Sequence, residues 1–330
     1  MSTPSPVVVT AENDEPARAE WSRAARETGL AQPRFVPWSA VVASEAEFAP
    51  GEVVFVERLH PDTAGNPVGG QRARYAELQA ALEHLDTAVT KAGATLAASV
   101  EQTLLALDRT KCDEFLRQSS LPLLELSDVS AVRSNILRPR FAGSDEWMID
   151  GWRTQLFRHR TRTGFEVWRA PGQSSGDNRE LAQVAELLAD DGFHAVAALH
   201  RVHLLNDFYD FRFAVVDGKV THAAGVKREG EILAREWYGG KRREIDAFVT
   251  RFTTERWERL IALAERTATF FPGIRSLGVD LIMDNEKSEF VFDVDPFGAS
   301  LPGLVAGLAD AGGEPGPVRA AVLRSLSVHW

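Results

Sequence analysis

The segment from Gly278 to Phe297 most constrains how this chain can fold. It reads Gly278-Val279-Asp280-Leu281-Ile282, a polar turn over Asp284, Asn285, Glu286 and Lys287, then Phe290-Val291-Phe292-Asp293-Val294-Asp295-Pro296-Phe297. β-Branched and aromatic residues on both sides of such a turn predict a hairpin. Strand side chains alternate between faces, so Asp293 and Asp295 point the same way. Pairing around the turn brings Asp280 close to them, and Phe290, Val291 and Val294 supply the buried positions. A D-x-D at a strand end is ordinarily a solvated turn, but the apolar residues flanking each Asp speak against surface placement. Pro296 ends the second strand, and Gly298 and Gly303 open an irregular loop. Three carboxylates converging on one spot repel each other and require a compensating cation. Oxygen-only donors suit magnesium, which binds through one or two carboxylates plus substrate phosphates. The segment therefore predicts a magnesium–nucleotide site on Asp280, Asp293 and Asp295.

A second segment runs Asp207-Phe-Tyr-Asp-Phe-Arg-Phe-Ala-Val-Val-Asp-Gly-Lys219. Phe211, Phe213 and Val215 alternate with Arg212 and Ala214, as a strand requires. Asp217-Gly218 is a hairpin turn, and Val220 to Val226 is the return strand. Thr254 then begins a helix whose stripe of Trp257, Leu260, Ile261, Ala264, Ala268 and Phe271 is core.

The amino-terminal third alternates short strands and helices. Val7 to Thr10 reads as a buried strand, Pro16 to about Thr28 as a helix closed by Gly29, and Arg34–Trp38 and Val53–Glu57 as further strands. This alternation predicts a small parallel α/β unit. No Gly-x-Gly-x-x-Gly turn follows the first strand, which argues against a dinucleotide site there. His60 to Gly70 is a loop leading into a helix over Arg72 to Thr87. Further on, Leu181 to Ala189 reads as an amphipathic helix. His194, His200 and His203 are spaced by six and three and lack a Cys partner, so they read as structural or surface histidines. Trp237-Tyr-Gly-Gly-Lys-Arg-Arg243 is either a phosphate- or carboxylate-binding loop or a solvated basic turn.

At 330 residues the chain can hold two or three subdomains. A formal net charge of −10 argues against a general nucleic-acid binder. A single cysteine, Cys112, excludes an intrachain disulfide and fits a reducing cytoplasm. No transmembrane run or signal peptide is expected.

With these residues in view, G-V-D-L-I followed by F-V-F-D-V-D-P-F-G resembles the carboxy-terminal signature of the ATP-grasp superfamily. In that family an Asp on one strand and a D/E-x-N pair on the next hold magnesium against the ATP phosphates. The matching positions are Asp280, Asp293 and Asp295, with Asp295 where the family usually has Asn. Asp210-Phe-Arg212 and the following hairpin resemble the family's D-x-R strand, whose Arg faces the terminal phosphate. Lys227 falls where many members carry a second cation. Asp108-Arg109 resembles the D-K pair that starts a helix; Asp108 is a good N-cap, and Arg109 replaces Lys. Asn135 to Ser144 resembles the K-P-x-x-G-S strand and phosphate loop, with Arg138 in place of Lys and only Gly143 and Ser144 kept. No ribose-binding Glu stands near Ala197 to Leu199.

The resemblance spans Asp108 to Gly303 with its elements in order. It implies an α/β with α+β architecture: an N-terminal α/β domain over residues 1–107, a central ATP-grasp subdomain over 108–198, and a C-terminal subdomain over 199–330 carrying the metal site. It implies ATP and Mg2+ as cofactors. Arg109, Arg138, Gly143, Ser144, Arg212 and Lys227 would contact nucleotide, with Arg212 and Lys227 catalytic. The implied activity is a carboxylate–amine ligase acting through an acyl phosphate on a small molecule or peptide. A non-catalytic nucleotide-binding or partner-binding protein and a small-molecule kinase are the alternatives. No nucleic-acid or membrane partner is implied. Oligomeric state stays open, a homodimer being the commonest closed assembly.

Overall fold

The computed structural model describes residues 6–12, 14–57, 71–126, 135–141, 147–150, 155–161, 164–169, 193–197, 207–229, 241–243, 254–283, 288–299, 301 and 317–328. Its first sheet grows from the apolar run Pro6–Thr10 (β1), every residue of which is buried. Helix α1 (Glu15–Thr28) follows, capped by Asp14, whose side chain accepts from Ala17 N at 3.0 Å. It stops at Gly29, whose φ of +69° is the left-handed conformation that ends a helix. Strands β2 (Arg34–Pro37), β3 (Val53–Val56) and β4 (Thr95–Leu96) complete a parallel sheet of order β2-β1-β3-β4. Trp38 does not extend β2 as expected; it begins the short helix α2 (Trp38–Val42) and is buried there. Helix α3 runs longer than the expected Arg72 to Thr87, over Gln71–Lys91. The loop expected over His60–Gly70 and the helix expected over Leu181–Ala189 lie outside the described residues.

A second sheet belongs to the middle of the chain. Strands β5 (Asn135–Pro139), β6 (Trp147–Asp150), β7 (Gln155–Thr161), β8 (Gly164–Arg169) and β9 (Phe193–Ala197) pair antiparallel in the order β8-β7-β6-β5-β9. Helices α4 (Val100–Leu107) and α5 (Arg109–Gln118) precede it.

The third sheet carries the acidic hairpin. Its strands are β10 (Asp207–Val216), β11 (Lys219–Glu229), β12 (Lys241–Arg243), β13 (Ser276–Met283) and β14 (Glu289–Asp295), in the order β12-β11-β10-β13-β14. Asp217 and Gly218 both have positive φ, +47° and +77°, the geometry of the tight turn that joins β10 to β11. Helix α6 (Thr254–Ala268) covers one face, its Trp257 ring 5.6 Å from Phe213 and 6.5 Å from Phe211. Leu260, Ala264, Val279, Leu281, Val291 and Val294 join the same core.

The last helix, α7 (Val318–Val328), returns to the first sheet. Ala320, Val322, Leu323 and Leu326 share a core with Val8, Trp21, Phe55 and Val216. The end of the third sequence segment thus closes the core of the first. Within this contact Arg319 Nη2 lies 2.7 Å from Glu57 Oε1, and Trp21 Nε1 donates to that oxygen at 2.5 Å. The Arg319 guanidinium also sits over the Trp21 ring, 5.1 Å from its centroid. No described helix is long and apolar enough to cross a membrane.

Burial pushes the Glu57 carboxyl above its ordinary 4.5, with Arg319 and the Trp21 hydrogen bond pulling it back. Arg319→Ala removes the main counter-charge and should destabilise by about 3–5 kcal/mol at neutral pH. A carboxyl whose folded-state pKa is raised binds its proton more tightly folded than unfolded. Stability of the variant should therefore fall as pH rises above 4.5 toward the raised value. Urea denaturation of wild type and variant at pH 5 and pH 7.5 checks this; the expected gap between them is wider at pH 7.5.

Candidate active site

Arg212 stands where three strands bring charge together. It lies directly across from Asp280 on β13, and Asp280 lies directly across from Asp293 on β14. Opposed residues of an antiparallel pair share a face, so register alone puts these three in one row. Phe211 and Phe213 alternate with Arg212 and face α6, which leaves the row on the opposite side of the sheet.

Asp293 joins the row through an irregularity. Asp280 pairs with Asp293 and Leu281 with Val291, so Phe292 is an extra residue on β14. The bulge lets Val291 and Val294 both enter the core while Asp293 stays across from Asp280.

Asp295 lies across from Gly278. A Cβ at Gly278 would stand 3.0 Å from Asp295 Cβ and 3.1 Å from Ala299 N, so the glycine makes room for both. Asp295 Oδ2 accepts from Arg212 Nη2 at 3.1 Å, and its Oδ1 accepts from Phe297 N at 3.1 Å. Gly298 N closes the turn onto Asp295 O at 3.2 Å, with Gly298 at φ +83°. Arg212 Nε is 3.2 Å from Asp280 Oδ1, an ion pair lying off the hydrogen-bonding axis. Arg212, Asp280 and Asp295 are each less than a tenth exposed.

Asp293 meets a different arginine. Arg109 Nε and Nη2 approach its Oδ1 and Oδ2 at 3.4 and 3.3 Å, long contacts for charged partners. Arg109 is the first residue of α5 and is 3% exposed. Asp108 caps this helix on Lys111 N at 3.3 Å, as its position predicts, and it also receives Arg140 Nε and Nη2, both at 2.8 Å. Those hydrogen bonds push the Arg140 guanidinium above its ordinary range. Arg109 N donates to Arg140 O at 2.8 Å. The residue at the end of the β5 segment is thereby fixed to α5, and α5 to the acidic strand. Arg140 escaped the sequence reading, which looked two residues earlier; the signal was an N-cap Asp with a second, buried carboxylate oxygen to satisfy.

The other expected residues fall elsewhere. Arg138 lies on β5 across from His194 of β9. Gly143 and Ser144 lie outside the described residues. Lys227 pairs with Tyr209 on one side and Lys241 on the other, whereas Arg212 pairs with Ala224. Lys227 lies three positions from Ala224 on β11, an odd step, so it occupies the alternate set of register positions from the Arg212 row. Lys241 to Arg243 form an edge strand among the described residues rather than a loop.

The three expected carboxylates share a face, but two guanidinium groups stand among them. Among the described residues no group of three or more His, Cys, Asp and Glu side chains could hold a metal ion. Asp280 and Asp293, opposed in register, fit magnesium in its two-carboxylate mode, with phosphates and water supplying the remaining oxygens.

No protein-family model and no curated protein matches this sequence. Solved structures match in shape. The ATP-grasp ligase PsnB bound to a minimal precursor superposes with a TM-score of 0.58 at 16% identity, over 99% of this chain and 100% of its own. The D-cycloserine synthetase DcsG gives 0.57 at 15% identity, over 97% and 99%. The D-alanine–D-alanine ligase from Bacillus anthracis, complexed with ATP, gives 0.55 at 11% identity, over 99% and 96%. The chain has the ATP-grasp fold, built along its whole length.

The close approach at Gly278 yields a direct test. Gly278→Val should force β14 and the turn at Ala299 apart, costing about 1–3 kcal/mol as overpacking does. Thermal denaturation should show a lower Tm for Gly278→Val, and a smaller fall for Gly278→Ala.

Proposed function

We propose that the protein is an ATP- and magnesium-dependent carboxylate–amine ligase that works through an acyl phosphate. The observation that carries this reading is Arg212, buried between Asp280 and Asp295 and in one row with Asp293, on a chain with the ATP-grasp fold. Asp280 and Asp293 would hold magnesium, which when bound neutralises the β- and γ-phosphates. The Arg212 guanidinium offsets charge on the γ-phosphoryl group as it passes to a substrate carboxylate oxygen, ADP leaving. An amine then attacks the acyl carbon, inorganic phosphate departs, and a C–N bond is formed. No covalent enzyme intermediate is needed, because positioning and electrostatics supply most of such catalysis. Arg109 holds Asp293 through both carboxylate oxygens.

Related structures support the cofactors and the substrate class. PsnB is solved with precursor peptide and AMPPNP, and with a minimal precursor, Mg and ADP; the macrocyclase MdnC is solved with the precursor peptide MdnA. We read the substrates of this chain as a carboxylate and an amine, on a peptide or a small molecule. A net charge of −10 disfavours nucleic acid as partner, and a lone buried cysteine, Cys112, fits a cytoplasmic setting. One observation favours a second reading. Arg109, expected on phosphate, is engaged with Asp293, as it would be in a nucleotide-binding protein that has lost turnover.

Calorimetric titration with ATP and magnesium tests the proposal. Wild type should bind in a metal-dependent manner, and Asp293→Ala should weaken binding by at least about 10-fold, the loss seen even for outer-shell partners of a metal. ADP release on addition of a carboxylate and an amine marks the ligase; binding without ADP release under a broad substrate screen marks the non-catalytic reading. A wild type that binds no nucleotide sinks both.

A further inference from the structure

We propose that Asp295 is not a metal ligand but the positioning residue that anchors Arg212. The inference rests on the nucleotide–metal reading above and departs from the role that the sequence resemblance implies for this position. Both oxygens of Asp295 are committed: Oδ2 to Arg212 Nη2 at 3.1 Å, and Oδ1 to the main-chain N of Phe297 at 3.1 Å. The second contact lies within a turn that Gly298 closes on the Asp295 carbonyl, so rotating the carboxylate toward a metal would break its bonds to Phe297 N and to Arg212. Asp293 is held differently. Its Oδ1 also accepts from a main-chain N, that of Val294 at 3.2 Å, but its side-chain partner is Arg109, whose contacts of 3.3 and 3.4 Å are near the outer limit of hydrogen bonding and can yield to a divalent ion. Register points the same way. Asp280 and Asp293 are direct cross-strand partners, whereas Asp295 is opposed by Gly278, which brings no donor of its own. Arg212 starts two strands away on β10 and meets Asp295 beside that gap.

An Asn at this position could ligate a metal through its neutral oxygen. Asp adds a charge, and here a guanidinium takes it up. Asp280 and Asp295 thus grip Arg212 from two sides and fix the guanidinium plane before any phosphate arrives. The γ-phosphate would then meet a cation already oriented, which is what preorganised electrostatic stabilisation requires.

The test separates metal binding from recognition of the terminal phosphate. Mn(II) binding to the full chain with ADP is followed by electron paramagnetic resonance, and the affinity ratio of AMPPNP to ADP by calorimetry. Asp293→Ala should lose Mn(II) affinity. Asp295→Ala should keep the Mn(II)–ADP affinity of wild type while its preference for AMPPNP falls about 10- to 100-fold, the worth of a charge-assisted contact. A merely structural defect would lower both nucleotides together and leave the ratio unmoved. Asp295→Asn preserves size but offers a single acceptor oxygen for two donors, so it should keep the Mn(II) affinity and lose part of the AMPPNP preference; it decides the matter if the alanine variant does not fold. Loss of Mn(II) by either Asp295 variant to the extent seen in Asp293→Ala overturns this assignment alone, as does an unchanged AMPPNP preference in Asp295→Ala. Failure of wild type to bind Mn(II) with ADP overturns it together with the nucleotide site.

Discussion

A buried arginine flanked by two carboxylates is the constraint to which the rest of this structure answers. Removing charged groups from water costs several kcal/mol each unless counter-charges and hydrogen bonds are close at hand. Arg212, Asp280 and Asp295 meet that condition only together, on three adjacent strands in one register. A slip of one residue in either pairing would send the arginine into the aromatic core against α6 and bring a phenylalanine to the charged face. The hydrophobic side of the sheet and its charged side therefore specify the same register. Phe211 and Phe213 pull β10 toward Trp257, and Arg212 between them is directed at Asp280.

The neighbouring elements extend this balance. Asp293 carries a further negative charge, and Arg109 at the head of α5 answers it across 184 positions of sequence. Arg109 is placed by Asp108, which caps the helix while gripping Arg140 with both oxygens. A capping residue usually satisfies one backbone donor and faces solvent; this one is 1% exposed and also joins two elements. On the far side, the turn that holds Asp295 passes over Arg319. A Cβ at Gly298 would stand 3.3 Å from Arg319 Nη1. Arg319 in turn neutralises Glu57 at the end of β3. The Glu57–Arg319 ion pair thus ties the first sheet to the last helix, and the last helix lies against the turn that follows the strands of the proposed site.

Much of this was legible in the sequence, and what was not has identifiable causes. The hairpins, the cap at Asp108, Gly29 and the Asp217-Gly218 turn are local: their signals lie within a few residues of the structure they cause. The alternation in β10 was also readable, because each residue's face follows from its neighbours. The acidic strand was harder. Val291 and Val294 are three apart and both buried, which strict alternation forbids, and only the bulge at Phe292 reconciles them. Lys227 looked like a companion to Arg212 because it follows on the return strand, but register is counted across strands, and the count puts it out of phase. Arg109 read as a nucleotide contact, and nothing in the sequence singled out Arg140 or Arg319. Their partners are 32 to 262 residues away, and no local pattern announces a contact of that range.

Two of the departures from the resembled pattern, at 295 and 109, gain a common explanation from this geometry. Asp at 295 adds a negative charge to a face that already carries Asp280 and Asp293, and alone it would raise the cost of bringing the strands together. The guanidinium of Arg212 can serve two carboxylates at once because its nitrogens form a fork. At position 109 the same property matters: Arg spans both oxygens of Asp293, whereas a lysine ammonium offers a single point charge on a flexible stem. Two forks among Asp280, Asp293 and Asp295 leave one negative charge in excess within this group. That residual charge suits a site that must hold together when empty and still attract a divalent cation together with its phosphates.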